Sequence, residues 1–280
     1  MISNRLKPTN DFIFKKIFGE NEVKESLISL LNAILELEGE KKLKDIVIID
    51  NKELVKELIS DKTGRLDVRA ETLDNSQIDI EIQLIDQKNI VERMLYYLSK
   101  MYSESIKSGG KYKDLKKTIV IGILDFDYFE ISKFHSTYHL YEDELKDFML
   151  TDKFELHFVE MPKFRKASKD ITNSLHRWLL FLENDVPKEM LMEVVEMDPI
   201  IKKAEERLEW LSSDEETIKL YKAREDALIE KMSLIDEAEE RGKKSVAINL
   251  INMGMTIFDI AKATGLSIQE IEKLKVNKYN

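Results

Sequence analysis

The stretch Thr118 to Phe126 (TIVIGILDF) is almost unbroken in apolar residues, and it constrains the fold more than any other part of the chain. A strand with one wet face alternates polar and apolar side chains, whereas a continuous run is what a strand buried on both faces needs. The neighbouring segments are read by their period. Ile78-Asp79-Ile80-Glu81-Ile82-Gln83-Leu84 and Arg65-Leu66-Asp67-Val68-Arg69-Ala70 both alternate with period two and are predicted strands. Leu73-Asp74-Asn75-Ser76-Gln77 between them is turn chemistry, so the pair is expected to form a hairpin. Ile46 to Ile49 reads as a further short strand, and Phe154 to Met161 as another. Helical spacing marks Asp11 to Phe18, with Phe14, Ile17 and Phe18 on one face and Gly19 as the stop, then Val23 to Leu37, Ile90 to Ile106 and Ile171 to Leu182. The resulting order is helix, three strands, helix, strand, an α/β arrangement.

With 280 residues the chain can bury a sizeable core, as one large domain or one domain with a small appendage. No apolar run approaches the roughly 20 residues that a membrane span requires, and the N-terminus lacks an apolar signal core. Zero cysteines exclude disulfides, zinc–thiolate sites and thiol nucleophiles, and the expectation is a cytoplasmic protein. The net charge of -10 argues against binding nucleic acid by sheer positive field. That acidity is concentrated, however, since residues 185 to 241 hold 18 acidic and 9 basic side chains. Composition shifts after Pro187 to a glycine-free, Glu- and Lys-rich stretch, read as solvated helices or a helical hairpin that could dimerise. The expected division is therefore a main domain over 1–186, a charged helical linker over 187–241 and a small module over 242–280. In that module Ile257 to Thr264 and Ile268 to Leu274 flank Gly265-Leu266-Ser267, the outline of a helix-turn-helix.

The chemistry is expected on the hairpin. Alternation puts Asp79, Glu81 and Gln83 on one strand face and Arg65, Asp67 and Arg69 on one face of the partner. Pairing can then bring the Asp67 and Glu81 carboxylates close enough to share a hard cation, Mg2+ or Mn2+, which relieves their repulsion. Such an ion acidifies a bound water and neutralises charge on a transferred phosphoryl group. The bland alternative is an exposed hairpin whose acids pair with Arg65 and Arg69. Asp79 either joins the metal or hydrogen-bonds across the hairpin, and the second is the reading preferred here.

These residues also match something known. Asp67, then thirteen residues, then Glu81-Ile82-Gln83, in this order of elements, resembles the PD-(D/E)XK nuclease superfamily. The passages Asn10 to Gly19 (NDFIFKKIFG), Gly64 to Ala70 (GRLDVRA), Ile78 to Gln83 (IDIEIQ) and Arg93 to Tyr97 (RMLYY) are similar to the Rpn family of recombination-promoting nucleases, also described as PD-(D/E)XK transposases. The resemblance covers roughly residues 5 to 185, and the C-terminal GLSIQEIEKL is similar to a segment common in that family. It implies a restriction-endonuclease-like α-β-β-β-α-β core with a mixed sheet flanked by helices, extended by C-terminal helices. It implies that Asp67 and Glu81 bind metal and that Gln83 stands where the superfamily signature has lysine, offering dipolar hydrogen bonds in place of a charge. Asp11 matches the acidic residue of the family's first helix and is a candidate outer ligand, with Lys15 on the same face to meet a phosphate. Asp11 could equally be an N-cap with Lys15 as its i,i+4 partner.

Arg93 and Tyr97 could reach DNA phosphates from the following helix, although tyrosines at such spacing usually pack. His135 and His139 tempt a zinc reading but lack a convincing third ligand. The lysine runs at 41–44, 111–117 and 163–169 are candidate phosphate contacts or simply solvated faces. The function implied is a metal-dependent DNA endonuclease, expected as a homodimer making two cuts. The alternative is a catalytically silent DNA-binding or regulatory protein that works through its C-terminal helix-turn-helix.

Overall fold

The computed structural model describes residues 5–49 and 68–276. Asp67 and Arg65 lie outside the described residues. Six strands form one mixed sheet: β1 (Ile46–Ile48), β2 (Val68–Thr72), β3 (Gln77–Gln83), β4 (Thr118–Leu124), β5 (His135–Tyr141) and β6 (Met149–Glu160), in the order β1-β2-β3-β4-β6-β5. β3 and β6 flank β4 in parallel, and the other pairings are antiparallel. The central place of β4 accounts for its apolar run, because all seven of its residues are buried.

The hairpin forms as its sequence requires. Asn75 takes a left-handed φ of 65°, which asparagine tolerates well. The Thr72 hydroxyl and the Asp74 carboxylate tie the turn to Ser76. The register places Arg69 opposite Asp79 and Val68 opposite Ile80.

Helices cover both faces of the sheet. On one side α1 (Asp11–Phe18), α2 (Lys24–Ile34) and α5 (Ser174–Leu182) contribute Phe14, Phe18, Leu30 and Trp178 to a core that includes Ile78, Ile80 and Ile82 of β3 and Ile119, Ile121 and Ile123 of β4. α1 is capped by Asn10, whose side chain accepts from the Phe12 and Ile13 amides, so the cap is Asn10 rather than Asp11. On the other side α3 (Ile90–Glu104) lays Ile90, Met94, Leu98 and Met101 against Val120, Leu124 and Phe158. Those spacings are the i, i+4, i+8 stripe of an amphipathic helix.

α4 (Met161–Lys166) follows β6, and α6 (Lys188–Met197) and α7 (Pro199–Leu211) come after α5. The stretch expected as a solvated linker from residue 187 begins with helices that enter the main core. Leu191 and Val194 of α6 and Ile201, Ala204, Leu208 and Leu211 of α7 are all buried. The chain divides into compact units at Met1–Tyr221 and Lys222–Asn280, with α8 (Glu215–Asn252) running through the division.

In the second unit Ala247 packs with Ile260 and Leu266 and with Ile271 of the next helix. α9 (Ile257–Thr264) starts on Thr256 and ends on Gly265 at φ 72°, a left-handed cap that suits glycine. Ser267 then accepts from the Glu270 amide while Glu270 accepts from the Ser267 amide, a reciprocal cap for α10 (Ile268–Val276).

Candidate active site

The parallel register of β3 and β4 sets Asp79 beside Val120, Glu81 beside Gly122 and Gln83 beside Leu124. Since Val120 and Leu124 face α3, the polar side of β3 faces α3 as well. Alternation along β3 therefore marks two buried faces rather than a dry and a wet one. Asp79 and Glu81 are both fully buried, beneath a helix and not in water.

Glu81 sits in a network. Its Oε1 accepts from Gln83 Nε2 at 2.9 Å and, in a very short contact, from Arg93 Nη2. Arg93 Nη1 donates to Gln83 Oε1 at 3.0 Å, and Arg93 Nε donates to the Tyr97 hydroxyl at 3.1 Å. The guanidinium also lies 5.8 Å from the centre of the Tyr97 ring. Arg93 lies in the first turn of α3, so its stem leaves the helix near the surface while its tip is inside. Gly122 makes room at the same level, where a Cβ would come within 3.0 Å of Met94 Cε.

Some oxygens of this acidic pair have nothing to accept from. Both Asp79 carboxylate oxygens and Glu81 Oε2 are buried without a hydrogen-bond partner. The expected cross-hairpin bond of Asp79 does not form. Arg69, directly opposite, donates from Nη2 to Gln77 Oε1 instead. Burial pushes the Asp79 carboxyl well above its ordinary value, with the Glu81 charge adding to it. Burial also pushes Glu81 up to about 7, outweighing the Arg93 charge and the Gln83 hydrogen bond that favour the carboxylate. Tyr97 is raised to about 12, by burial first and then by Glu81.

A divalent cation fits such a donor set chemically. Orphaned carboxylate oxygens are hard ligands, and Mg2+ is commonly held by one or two carboxylates with waters and substrate phosphates completing its shell. Among the described residues no group of three or more His, Cys, Asp or Glu side chains is arranged to hold a metal ion. Asp67, the expected second ligand, is not among them.

The other candidates fall elsewhere. Asp11 and Lys15 ride on α1, in the layer on the opposite side of the sheet, and Asp11 Oδ1 accepts from the Phe12 amide. His135 and His139 lie on β5, a strand, so their spacing carries no helical meaning. His135 Nε2 is 3.0 Å from His157 Nδ1, and His157 Nε2 is 2.7 Å from Glu155 Oε1. Several lysines of the candidate runs are occupied by acids: Lys116 by Glu71, Lys117 by Glu155, Lys163 by Glu160 and Lys166 by Asp127.

A family model described as PD-(D/E)XK nuclease family transposase matches residues 8–238. The chain belongs to that family. No curated protein and no solved structure matches it. For a PD-(D/E)XK family member the mixed sheet with helices on both faces is the expected core, and the hairpin strand β3 ends in Glu81-Ile82-Gln83. The match runs through α6 and α7, beyond the boundary expected near residue 186. Sequence reasoning singled out Glu81, Gln83 and Arg93 as candidates but missed that Arg93 bonds to the other two. It also missed the orphaned state of Asp79, whose only signal was its place in the alternation.

Proposed function

We propose that the chain is a divalent-metal-dependent DNA endonuclease that hydrolyses phosphodiester bonds in recombination, mobile-element biology or defence. The observation that carries this reading is Glu81, a fully buried carboxylate at the centre of the sheet with one oxygen held by Gln83 and Arg93 and the other left unpartnered. Burying an acid this way costs several kcal/mol in the absence of compensation, and such costs concentrate where chemistry is done.

In this reading Asp67 and Glu81 hold Mg2+ or Mn2+. Asp67 directly precedes Val68, which lies opposite Ile80. The ion, when bound, lowers the pKa of a water and offsets charge on the phosphoryl group. Gln83 is fixed by giving a hydrogen bond to Glu81 and taking one from Arg93, which orients its amide. It contributes dipolar stabilisation where the superfamily lysine supplies charge. Arg93 adds the positive charge. A supporting role for Arg65 rests on the family resemblance alone, and Asp11 and Lys15, on the α1 side of the sheet, stand away from this face.

The substrate assigned is DNA and the assembly a homodimer in the cytoplasm. Among the described residues no helix is long and apolar enough to cross a membrane. Dimerisation is supported by exposed Leu140, Tyr141, Phe148 and Leu150 on the β5–β6 hairpin, which reaches past the rest of the sheet. Light scattering tests it directly, with a monomer mass at micromolar concentration counting against it.

Supercoiled-plasmid cleavage with Mg2+, Mn2+ or EDTA is the main test, comparing wild type with Asp67→Ala and Glu81→Ala. The expected result is metal-dependent nicking or linearisation lost in both variants. Binding without cutting would favour the second reading, a silent protein that holds DNA or a partner through α9 and α10. Their arrangement around a left-handed Gly265 is what supports that alternative.

A further inference from the structure

The positive charge nearest the candidate metal ligand comes from a helix, not from the signature strand. Arg93 reaches in from α3 and uses all three guanidinium nitrogens: one on Glu81, one on Gln83 and one on Tyr97. Its side chain is only 10% exposed and that of Glu81 is fully buried. Glu81 Oε1 therefore already carries two donors, and a unit positive charge sits beside the one oxygen, Oε2, that is left to a metal ion.

Two cations do not share such a place. A divalent ion and a unit charge repel with twice the energy of two unit charges at the same separation, and a buried site screens that repulsion far less than water does. Arg93 holds Oε1, and a metal on the unpartnered Oε2 of the same carboxylate would stand beside its guanidinium charge. A guanidinium that leaves a buried carboxylate needs another anion, and its planar fork suits a phosphate as well as a carboxylate. DNA supplies one. Gln83, with no charge of its own, competes for that phosphate only through dipolar hydrogen bonds.

We propose that Arg93 gates this site: without metal and DNA its guanidinium holds Glu81 and its charge opposes a cation on that carboxylate, and on loading it transfers to a phosphate of the substrate. The proposal rests on the reading of Glu81 as a metal ligand. Its consequence is a closed resting state in which metal binds weakly, because the apparent affinity is reduced by the fraction of molecules in which Glu81 is free. DNA that captures Arg93 removes that restraint, so metal and DNA strengthen one another's binding by a common factor. Metal alone would leave the gate mostly shut.

The test is titration calorimetry with Ca2+, which binds oxygen sites without supporting cleavage in the experiment's time, on the full chain with and without a short DNA duplex. Arg93→Gln removes the guanidinium and is expected to tighten Ca2+ binding without DNA on the order of tenfold. It is also expected to weaken duplex binding and to shrink the mutual strengthening toward unity. Arg93→Lys keeps a cation inside, and so preserves the fold if the glutamine variant does not. Its single ammonium cannot hold Glu81 and Gln83 together, so Ca2+ should bind more tightly than to wild type but less than to Arg93→Gln. Unchanged or weaker Ca2+ binding in a folded Arg93 variant overturns the gate, as does a strengthening factor equal to that of wild type. Glu81→Gln separates the two ideas. Ca2+ binding indifferent to Glu81→Gln refutes the metal site itself, whereas binding that needs Glu81 but ignores Arg93 refutes only the gate.

Discussion

At the scale of single residues the buried carboxylates set the pH response. Glu81 has a folded pKa of about 7 against an ordinary value of 4.5, so between those values the folded state holds a proton that the unfolded state has lost. Stability from this group is thus fully present below the ordinary value and falls as pH rises through about 7. The loss is on the order of 3 kcal/mol. Asp79 acts in the same direction. Urea unfolding of the metal-free protein at pH 5 and pH 8 is expected to give a lower midpoint at pH 8, with a smaller difference in Glu81→Gln. Equal differences in the two proteins would mean that Glu81 is solvated. Saturating Mg2+ should also narrow the difference, since a bound cation stabilises the carboxylate form. Much of this residue set was legible in the sequence: alternation gave the face shared by Asp79, Glu81 and Gln83. Its burial was not, because period two reads equally well for a solvated face. The Arg93–Glu81 pair depends on how α3 crosses the sheet, which no local pattern encodes.

At the scale of elements, the closeness of α3 to the sheet positions Arg93. Gly122 lies beside Glu81 on β4, and an added Cβ would stand 3.0 Å from Met94 Cε and 3.4 Å from a Phe158 ring carbon. The methionine end is flexible and can give way, so Gly122→Ala is expected to cost about 1 to 2 kcal/mol and still fold. Because Met94 follows Arg93 on α3, the variant should also lower plasmid cleavage by more than its loss of stability explains. Activity and thermal midpoint measured on one preparation distinguish the two effects. Gly265→Ala is a contrasting case at the far end of the chain. Its φ of 72° is strained for a residue with a Cβ, and the substitution is expected to cost about 1 kcal/mol. Hydrogen exchange should then quicken in α9 and α10 while β3 and β4 keep their protection. The elements themselves were unequally visible. β4 announced itself by its apolar run and α3 by its stripe, whereas β5 (HSTYHLY) is polar at most positions and gave no strand signal. A sheet-edge strand held by one neighbour needs few buried side chains, and so leaves little trace in hydrophobicity.

At the scale of the whole molecule the question is where the nuclease fold ends. Charge density after Pro187 suggests a solvated linker, because Glu and Lys are dense there and interrupt the apolar spacing. Yet Leu191, Val194, Ile201, Ala204, Leu208 and Leu211 are buried, and Arg5 near the N-terminus pairs with Glu205 at 2.9 Å while donating to the Phe181 carbonyl. Removing α6 and α7 would expose the surface these residues cover. At about 1.5 to 3 kcal/mol for each large buried side chain, the loss is comparable with the 5 to 15 kcal/mol that stabilises a whole domain. A chain ending at residue 186 is therefore expected to be unfolded or aggregated, whereas one ending at 221 should give a cooperative thermal transition by circular dichroism. The same shorter chain decides what the second unit contributes. Metal-dependent cleavage retained in 1–221 assigns the chemistry to the first unit and leaves α9 and α10 a role in targeting or assembly. Loss of cleavage from a folded 1–221 would mean that the nuclease needs its C-terminal helices to engage DNA.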